Sequence, residues 1–193
     1  APQSRHVVTG DVVSGVLNLN GFDQIIGSLS SVGTAQGSAV VALGANTLTV
    51  GSDATQNAAY AGGITGSGIF RLNGNGSLQT LAVADNGAQT WSTEIADGLL
   101  NVANGARLGS GVLTLGVTDV SGADDFTGLN LESTAVIANN IVVANVNNVG
   151  SASITSSGTD AVVSGAVALD RNIYAGAAVG TQLSLEGTVG GNG

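Results

Sequence analysis

Asn46-Thr47-Leu48-Thr49-Val50-Gly51 opens the stretch that decides the fold, residues 46–116, in which short segments of alternating apolar and small polar residues recur. Leu48 and Val50 lie on one side of this first segment and its threonines on the other, a period of two that is typical of a strand with one buried face. Further segments of this kind occupy residues 69–74, 77–81, 99–105 and 112–116. No segment is long enough to bury its own apolar side, but stacked segments bury one another. The stretch therefore predicts a solenoid of short β-rungs.

The residues that separate the segments indicate turns rather than helices. They are Gly, Asn, Asp and Ser, which tolerate the positive φ angles of tight turns. Gly66-Ser67-Gly68 and Gly74-Asn75-Gly76 are interpreted as corners and not as phosphate-binding loops, because no Lys or helix follows them. Residues 53–60, which are small and polar, are interpreted as a loop or bulge between strands.

The spacing of the segments extends this prediction to the whole fold. Similar segments recur about every 20 residues, and parallel strands joined in this way cross over right-handed by default. No stretch combines a 3.6-residue apolar period with helix caps. We therefore predict an all-β protein, a right-handed parallel β-helix with little or no α-helix.

Composition limits what can fill the interior. Aromatic residues make up only 3% of the chain, so the core is predicted to consist of Val, Leu, Ile and Ala. The aromatic residues Trp91, Tyr60, Tyr174 and Phe70 are too scattered in the sequence to form a sugar-binding platform. We expect most of them to pack within the rungs, with Trp91 the one candidate for an exposed contact.

The charge balance excludes several classes of partner and chemistry. The net charge is −9, there is no Lys, and the cationic side chains are Arg5, Arg71, Arg107 and Arg171. Nucleic acid is not expected as a partner, because phosphate binding needs clustered Lys and Arg. An acidic surface without Lys suits an exported protein that must stay soluble. The chain has no Cys, which excludes disulfides, thiolate metal sites and a Cys nucleophile.

The first residues and the hydropathy bear on export. The chain contains no Met and starts with Ala1-Pro2-Gln3, which predicts a removed signal peptide or a sequence cut from something longer. No run of about 18 or more apolar residues occurs, so this chain is not expected to insert into a membrane.

Several motifs resemble a known family. Residues 46–53, followed by Tyr60-Ala61-Gly62-Gly63-Ile64-Thr65-Gly66-Ser67-Gly68, resemble the passenger repeats of bacterial autotransporters. Residues 98–116, the strand Asn139-Asn140-Ile141-Val142-Val143 and residues 14–29 are similar to further parts of these repeats. The resemblance implies a right-handed parallel β-helix exported to the cell surface. Its motifs specify a scaffold far better than an activity.

The resemblance also suggests how the chain is divided. We predict one solenoid domain over residues 1–193. Residues 1–13 form an N-terminal lead-in and a candidate exchanged strand, residues 14–145 carry the best-matching repeats, and residues 146–193 form degenerate C-terminal rungs.

Residues capable of chemistry are few. Serine catalysis needs a His to accept the Ser proton, and His6 is the only His, next to Arg5 and without a nucleophile motif. We therefore predict no enzymatic activity. Cofactors are not expected either, apart from a weakly bound Ca²⁺.

One acidic cluster, Asp119, Asp124 and Asp125, lies in residues 118–128. It is a solvated turn, a weak Ca²⁺ site built from loop carboxylates and carbonyls, or the carboxylates of a polysaccharide-acting enzyme. The enzyme alternative needs these carboxylates to converge with Arg107 or Arg171.

The two ends of the predicted solenoid are the last candidate site. Residues 7–19 and 183–189 both read as strand, and neither end shows an amphipathic cap. Uncapped solenoid ends present unpaired strand edges that can join another chain. The residues predicted to mediate this self-association are Val7, Val8, Val12, Leu183, Leu185 and Val189. The other explanation is that neighbouring parts of a longer β-helix cover these ends.

Three functions follow from these observations. The first is a non-enzymatic extracellular structural protein whose subunits associate head to tail into a surface filament or sheath. The second is the passenger stalk of an autotransporter-like surface adhesin that binds host or cell-surface ligands. The third is the polysaccharide-acting β-helix enzyme.

Overall fold

The computed structural model describes residues 7–9, 15–31, 39–51, 57–83, 89–103, 106–117, 126–145 and 151–191. These residues contain no helix, and each of their strand pairs is parallel. None of the described residues forms a helix that could cross a lipid bilayer. The described strands, in chain order, are β1 (Val7–Thr9), β2 (Gly15–Asn18), β3 (Gln24–Ile25), β4 (Leu29–Ser31), β5 (Ala39–Gly44), β6 (Thr47–Val50), β7 (Asn57–Tyr60), β8 (Gly63–Gly66), β9 (Ile69–Leu81), β10 (Ser92–Val102), β11 (Leu113–Leu115), β12 (Phe126–Leu131), β13 (Val136–Ile137), β14 (Ile141–Val143), β15 (Ser151–Ser156), β16 (Ala161–Val163), β17 (Val167–Leu169), β18 (Tyr174–Ala177), β19 (Leu183–Leu185) and β20 (Val189–Gly191).

The strands repeat in a fixed order around three faces. Face 1 stacks β3, β6, the start of β9, the start of β10, β11, β14, β17 and β20. Face 2 stacks β7, the ends of β9 and β10, β12, β15 and β18, with the pair β1–β4 ahead of them. Face 3 contains β2–β5–β8 and β13–β16–β19. The chain visits faces 1, 2 and 3 in turn, so the predicted all-β parallel solenoid is confirmed.

The coils differ in length. Thr93 pairs with Leu113, one coil and 20 residues later, whereas Gly98 pairs with Thr127, 29 residues later. The predicted period of about 20 residues therefore matches only the shorter of these two coils. Parallel stacking fixes the register of the strands, while the segments between strands absorb the extra residues.

Aliphatic side chains form continuous columns inside the solenoid. On face 1, each coil places one buried residue directly on the next, with the pairing order Val50, Leu72, Ile95, Leu115 and Val143. Each of these five side chains is at most 1% exposed. A short strand that could not bury its apolar side alone thus buries it against the coils above and below.

The large aromatic residues are mostly interior, as the sequence predicts. Trp91, Tyr60 and Phe70 are all buried, and the rings of Phe70 and Trp91 meet edge to face with centroids 6.4 Å apart. The prediction is wrong for Tyr174, which is 66% exposed on the outside of β18. Its ring covers Gly176, where an added Cβ would lie 2.7 Å from the phenolic oxygen. The missing side chain of Gly176 is what gives the ring room on the outer surface.

Two local interpretations need correction. Asn57–Tyr60 is strand β7 and not a loop, because Ala58 and Tyr60 point inward with the period of a strand. Gly74-Asn75-Gly76 lies within β9, which continues from face 1 to face 2, rather than in a separate turn. Gly66-Ser67-Gly68 does form the corner between β8 and β9.

Glycines allow the coils to touch where the chain passes from face 3 to face 1. A Cβ on Gly165 would overlap the carbonyl group of Asn139 in the coil above, and one on Gly187 would overlap the carbonyl group of Gly165. Gly68 has the same relation to the carbonyl of Asn46. Backbone contact at these corners brings the following strands into hydrogen-bonding distance, as in the 3.0 Å bond from the Ile69 amide to the Asn46 carbonyl. We call this row of positions the glycine corner.

A buried amide side chain bridges a break in face 2. No strand pairing among the described residues joins β4 to β7. The Gln79 side chain, 2% exposed, instead donates from Nε2 to the carbonyl of Leu29 in β4 (3.0 Å) and to that of Ala58 in β7 (3.3 Å). The Ser31 hydroxyl also accepts a 2.9 Å hydrogen bond from the Ala61 amide. Side chains therefore replace the backbone ladder at this level of the solenoid.

Candidate functional site

The predicted acidic site lies outside the described residues. This applies to Asp119, Asp124 and Asp125, and also to His6. The solvated turn, the Ca²⁺ site and the enzymatic carboxylates therefore stay predictions. Within the ranges that the structure describes, no group of three or more His, Cys, Asp or Glu side chains is placed to hold a metal ion.

The residues predicted for self-association are partly brought together. Leu183 and Leu185 lie in β19 on face 3, and Val189 begins β20 on face 1, so all three belong to the last described coil. Leu183 and Leu185 are half-buried and Val189 is 50% exposed. Val189 stacks on Val167, which is 2% exposed, so the interior column continues into a coil that is covered on one side.

The described N-terminal residues predicted for self-association lie in a different part of the solenoid from the last coil. Val7 and Val8 lie in β1 and pair with Leu29 and Ser30 of β4. Val12 lies outside the described residues. In the described part of the chain, β18, β19 and β20 each pair with one neighbour only. Their free edges carry the backbone groups that a further strand would bond.

A row of polar side chains follows the outside of face 2. Register places Thr80, Asn101, Asn130 and Thr155 above one another. The Asn130 amide donates to Asn101 Oδ1 (2.6 Å), and the Thr155 hydroxyl donates to Asn130 Oδ1 (3.1 Å). The Asn101 amide donates to Glu132 Oε1. These groups bond mainly to one another, so the row stabilises the stack more than it offers a binding site.

On the outside of face 1, an ion pair joins two neighbouring coils. Arg71 Nη2 lies 2.6 Å from Glu94 Oε2, and the two side chains are 34% and 18% exposed. Half-exposed pairs of this kind are screened by water and contribute about 0–1 kcal/mol. The guanidinium of Arg71 is thus engaged within the protein.

A cleft opens on face 3 where the stacking of strands is interrupted. Residues 106–110 bond to the coil above, through the Ser110 amide and the Gln89 carbonyl (2.9 Å). Below them, β13 pairs only with β16 in the described chain. Asn139 crosses the interruption, because its amide nitrogen donates to the carbonyls of Gly109 and Gly111. The cleft has a volume of about 150 Å³ and is lined by Gln89, Arg107, Leu108, Ser110, Val136, Ala138 and Asn139.

No sequence pattern predicted this face-3 cleft. Its lining residues come from three successive coils, at residues 89, 107–110 and 136–139. Only the lengths of the intervening coils bring them together, and those lengths vary. A usable signal was the loss of strand alternation after Val102, where Arg107 falls in a segment without a strand.

Comparison with known proteins identifies one relative. Over 98 residues, which are 49% of this chain, the sequence is 39% identical to a protein described as "Adhesin BmaC autotransporter" from Brucella suis biovar 1 (strain 1330). The chain spans about 3% of the length of that adhesin. No protein-family model matches the chain, and no solved structure matches it. The predicted resemblance to autotransporter passenger repeats is confirmed by this relative, with which the β-solenoid fold agrees.

Proposed function

We propose that this chain is part of the exported passenger of an autotransporter-like adhesin, where it acts as a non-enzymatic stalk at the bacterial cell surface. The observation that supports this most directly is the parallel β-solenoid in a chain whose relative is an autotransporter adhesin. Each coil lengthens such a stalk by about 4.8 Å. Side chains on the outside of described strands, such as Val16 and Ile25, are exposed, and host or cell-surface molecules are the proposed partners.

Attachment of the purified chain to cells tests this proposal. Beads coated with the chain are expected to adhere to cultured epithelial cells several-fold more than beads coated with an unrelated acidic β-solenoid. The unrelated solenoid controls for shape and charge, because adhesion through a specific face depends on side chains that it lacks. Equal retention of the two kinds of bead would contradict an adhesive role. Release of sugars from polysaccharides by the same preparation would favour the enzyme instead.

End-to-end association into a filament or sheath is a second proposal, supported by the last described coil. Leu183, Leu185 and Val189 are only partly covered there, and strands β18 to β20 each pair with one neighbour only among the described residues. A further coil would bury these side chains and bond these edges. That coil belongs either to the same protein or to a second copy.

Sedimentation velocity over a wide concentration range distinguishes these cases. If copies stack, the wild-type chain sediments faster as its concentration rises, and the double variant Leu185→Lys with Val189→Lys stays monomeric because it places charge in the contact. Val16→Lys is the matched control, since Val16 is 62% exposed on the side of the solenoid. A wild-type chain that is monomeric throughout the range would overturn end-to-end assembly.

A further inference from the structure

We propose that the face-3 cleft binds a single sugar unit that carries one carboxylate, of the uronic acid type, at the end of a cell-surface glycan. The assignment to a cell-surface ligand rests on the proposed adhesive function. The recognition chemistry itself rests on the cleft.

The cleft contains a cation that forms no ion pair with the described residues. Arg107 is exposed, and no carboxylate of the described residues lies within ion-pair distance of its guanidinium. Arg71, by contrast, is held by Glu94. A guanidinium presents two parallel N–H groups that match the two oxygens of a carboxylate. Arg107 is therefore placed to recognise a carboxylate that the described residues do not supply.

The polar groups around Arg107 suit sugar hydroxyls. The Ser110 hydroxyl donates to the Gln89 carbonyl (3.2 Å), which leaves its oxygen able to accept. The amide nitrogen of Asn139 is used by two carbonyls, while its Oδ1 accepts no hydrogen bond from the described residues. The Gln89 side chain is fixed by a 2.9 Å hydrogen bond from the Gly66 amide to its Oε1. Because these side chains are already held in place, little ordering entropy is lost when a ligand binds.

The remaining lining of the cleft is apolar and provides a surface against which the pyranose ring of the sugar can pack. Leu108 is buried beneath the cleft, and Val136 is 50% exposed at its edge. The carbon-bound hydrogens of a pyranose pack against such side chains. One cation, the acceptor oxygens of Ser110 and Asn139 and an apolar floor together match a sugar ring that has one carboxylate and several hydroxyls.

Size and charge narrow the ligand further. A volume of about 150 Å³ is smaller than the roughly 300–1,000 Å³ of pockets that enclose a whole drug-sized ligand, so the cleft takes one terminal unit. The net charge of −9 repels polyanions. This disfavours sulfated chains and nucleic acids and favours a ligand with a single carboxylate.

Saturation-transfer NMR on the full chain, with D-glucuronate and D-glucose as probes, tests the inference. The two sugars differ in that a carboxylate replaces a hydroxymethyl group. We expect glucuronate to bind and glucose to bind roughly ten- to a hundredfold more weakly, the range for losing a hydrogen bond to a charged group. Arg107→Gln should weaken the binding of glucuronate by the same factor. The melting temperature should not change, because Arg107 is exposed.

Arg171→Gln is the matched control, since it removes the same charge outside the cleft and should leave glucuronate binding unchanged. Equal binding of the two sugars, equal loss in the two Arg variants, or no saturation transfer would each overturn the proposal. An acetylated peptide with one carboxylate that binds as well as glucuronate would overturn the assignment to a sugar. Bead adhesion without glucuronate binding would remove this proposal and leave the adhesive function intact. Glucuronate binding without bead adhesion would support the cleft as a sugar site and contradict the adhesive function.

Discussion

Gly165→Ala is expected to lower the free energy of unfolding by about 3 kcal/mol, the upper end of the usual cost of overpacking. The added methyl group would overlap the carbonyl group of Asn139 in the coil above. Backbone atoms cannot rotate away as the end of a side chain can. The coils must therefore separate at the glycine corner, which weakens the neighbouring 2.8 Å hydrogen bond between the Ile141 amide and the Ala166 carbonyl. Urea unfolding followed by circular dichroism measures the change.

Gly63→Ala is the matched control for this variant. Gly63 also lies within the solenoid, but its nearest contact for an added Cβ is a methyl group of Val40 at 3.9 Å. This is an ordinary van der Waals distance, so the change should stay within about 0.5 kcal/mol. If both variants unfold at the same urea concentration, close backbone contact at the glycine corner does not determine stability.

Gln79→Leu should cost about 2–3 kcal/mol although the two side chains are similar in size. Leucine fills the space but donates no hydrogen bond. The carbonyls of Leu29 and Ala58 then lose the amide that joins them across the break in face 2. Buried carbonyls that lose a partner retain their full desolvation cost. Thermal unfolding and amide hydrogen exchange in β4 and β7 measure the effect.

Gln182→Leu provides the comparison for Gln79. Gln182 is exposed, and its amide bonds to the hydroxyl of Ser184. Water replaces that hydrogen bond, so stability should change by less than about 0.5 kcal/mol. Faster exchange in β4 and β7 is expected for Gln79→Leu alone. A fully stable Gln79→Leu protein would show that the break in face 2 needs no bridge.

The fold was predictable from sequence where inward apolar residues alternate with outward polar residues along a strand. The segment from Thr47 to Val50 alternates apolar and polar residues because one side of the strand faces the interior, and the structure has strand β6 there. The rule fails where polar side chains enter the interior. Gln79 occupies an inward position between Ala58 and Leu100. Its bridging role depends on the break between β4 and β7, which the periodicity of the sequence does not reveal. Asn57–Tyr60 was missed because alanines carry a weak apolar signal.

Predicting the site from sequence was harder than predicting the fold. Leu183, Leu185 and Val189 could be grouped because they lie close together along the chain. Arg107 and Asn139 belong to different coils of unequal length, so their proximity follows only from the registers of the stacked strands. Individual coils can be recognised by local pattern, whereas a cleft between coils depends on every residue inserted between them.

The break between β4 and β7 has a mechanical consequence for any solenoid of this kind that is held at one end and pulled at the other. Where backbone ladders are continuous, tension along the axis is shared by many parallel hydrogen bonds. On face 2 at this level, the load falls on the side chains of Gln79 and Ser31. Face 2 should therefore open first at this level, while the backbone ladders β3–β6 and β2–β5 still hold the coils together on faces 1 and 3.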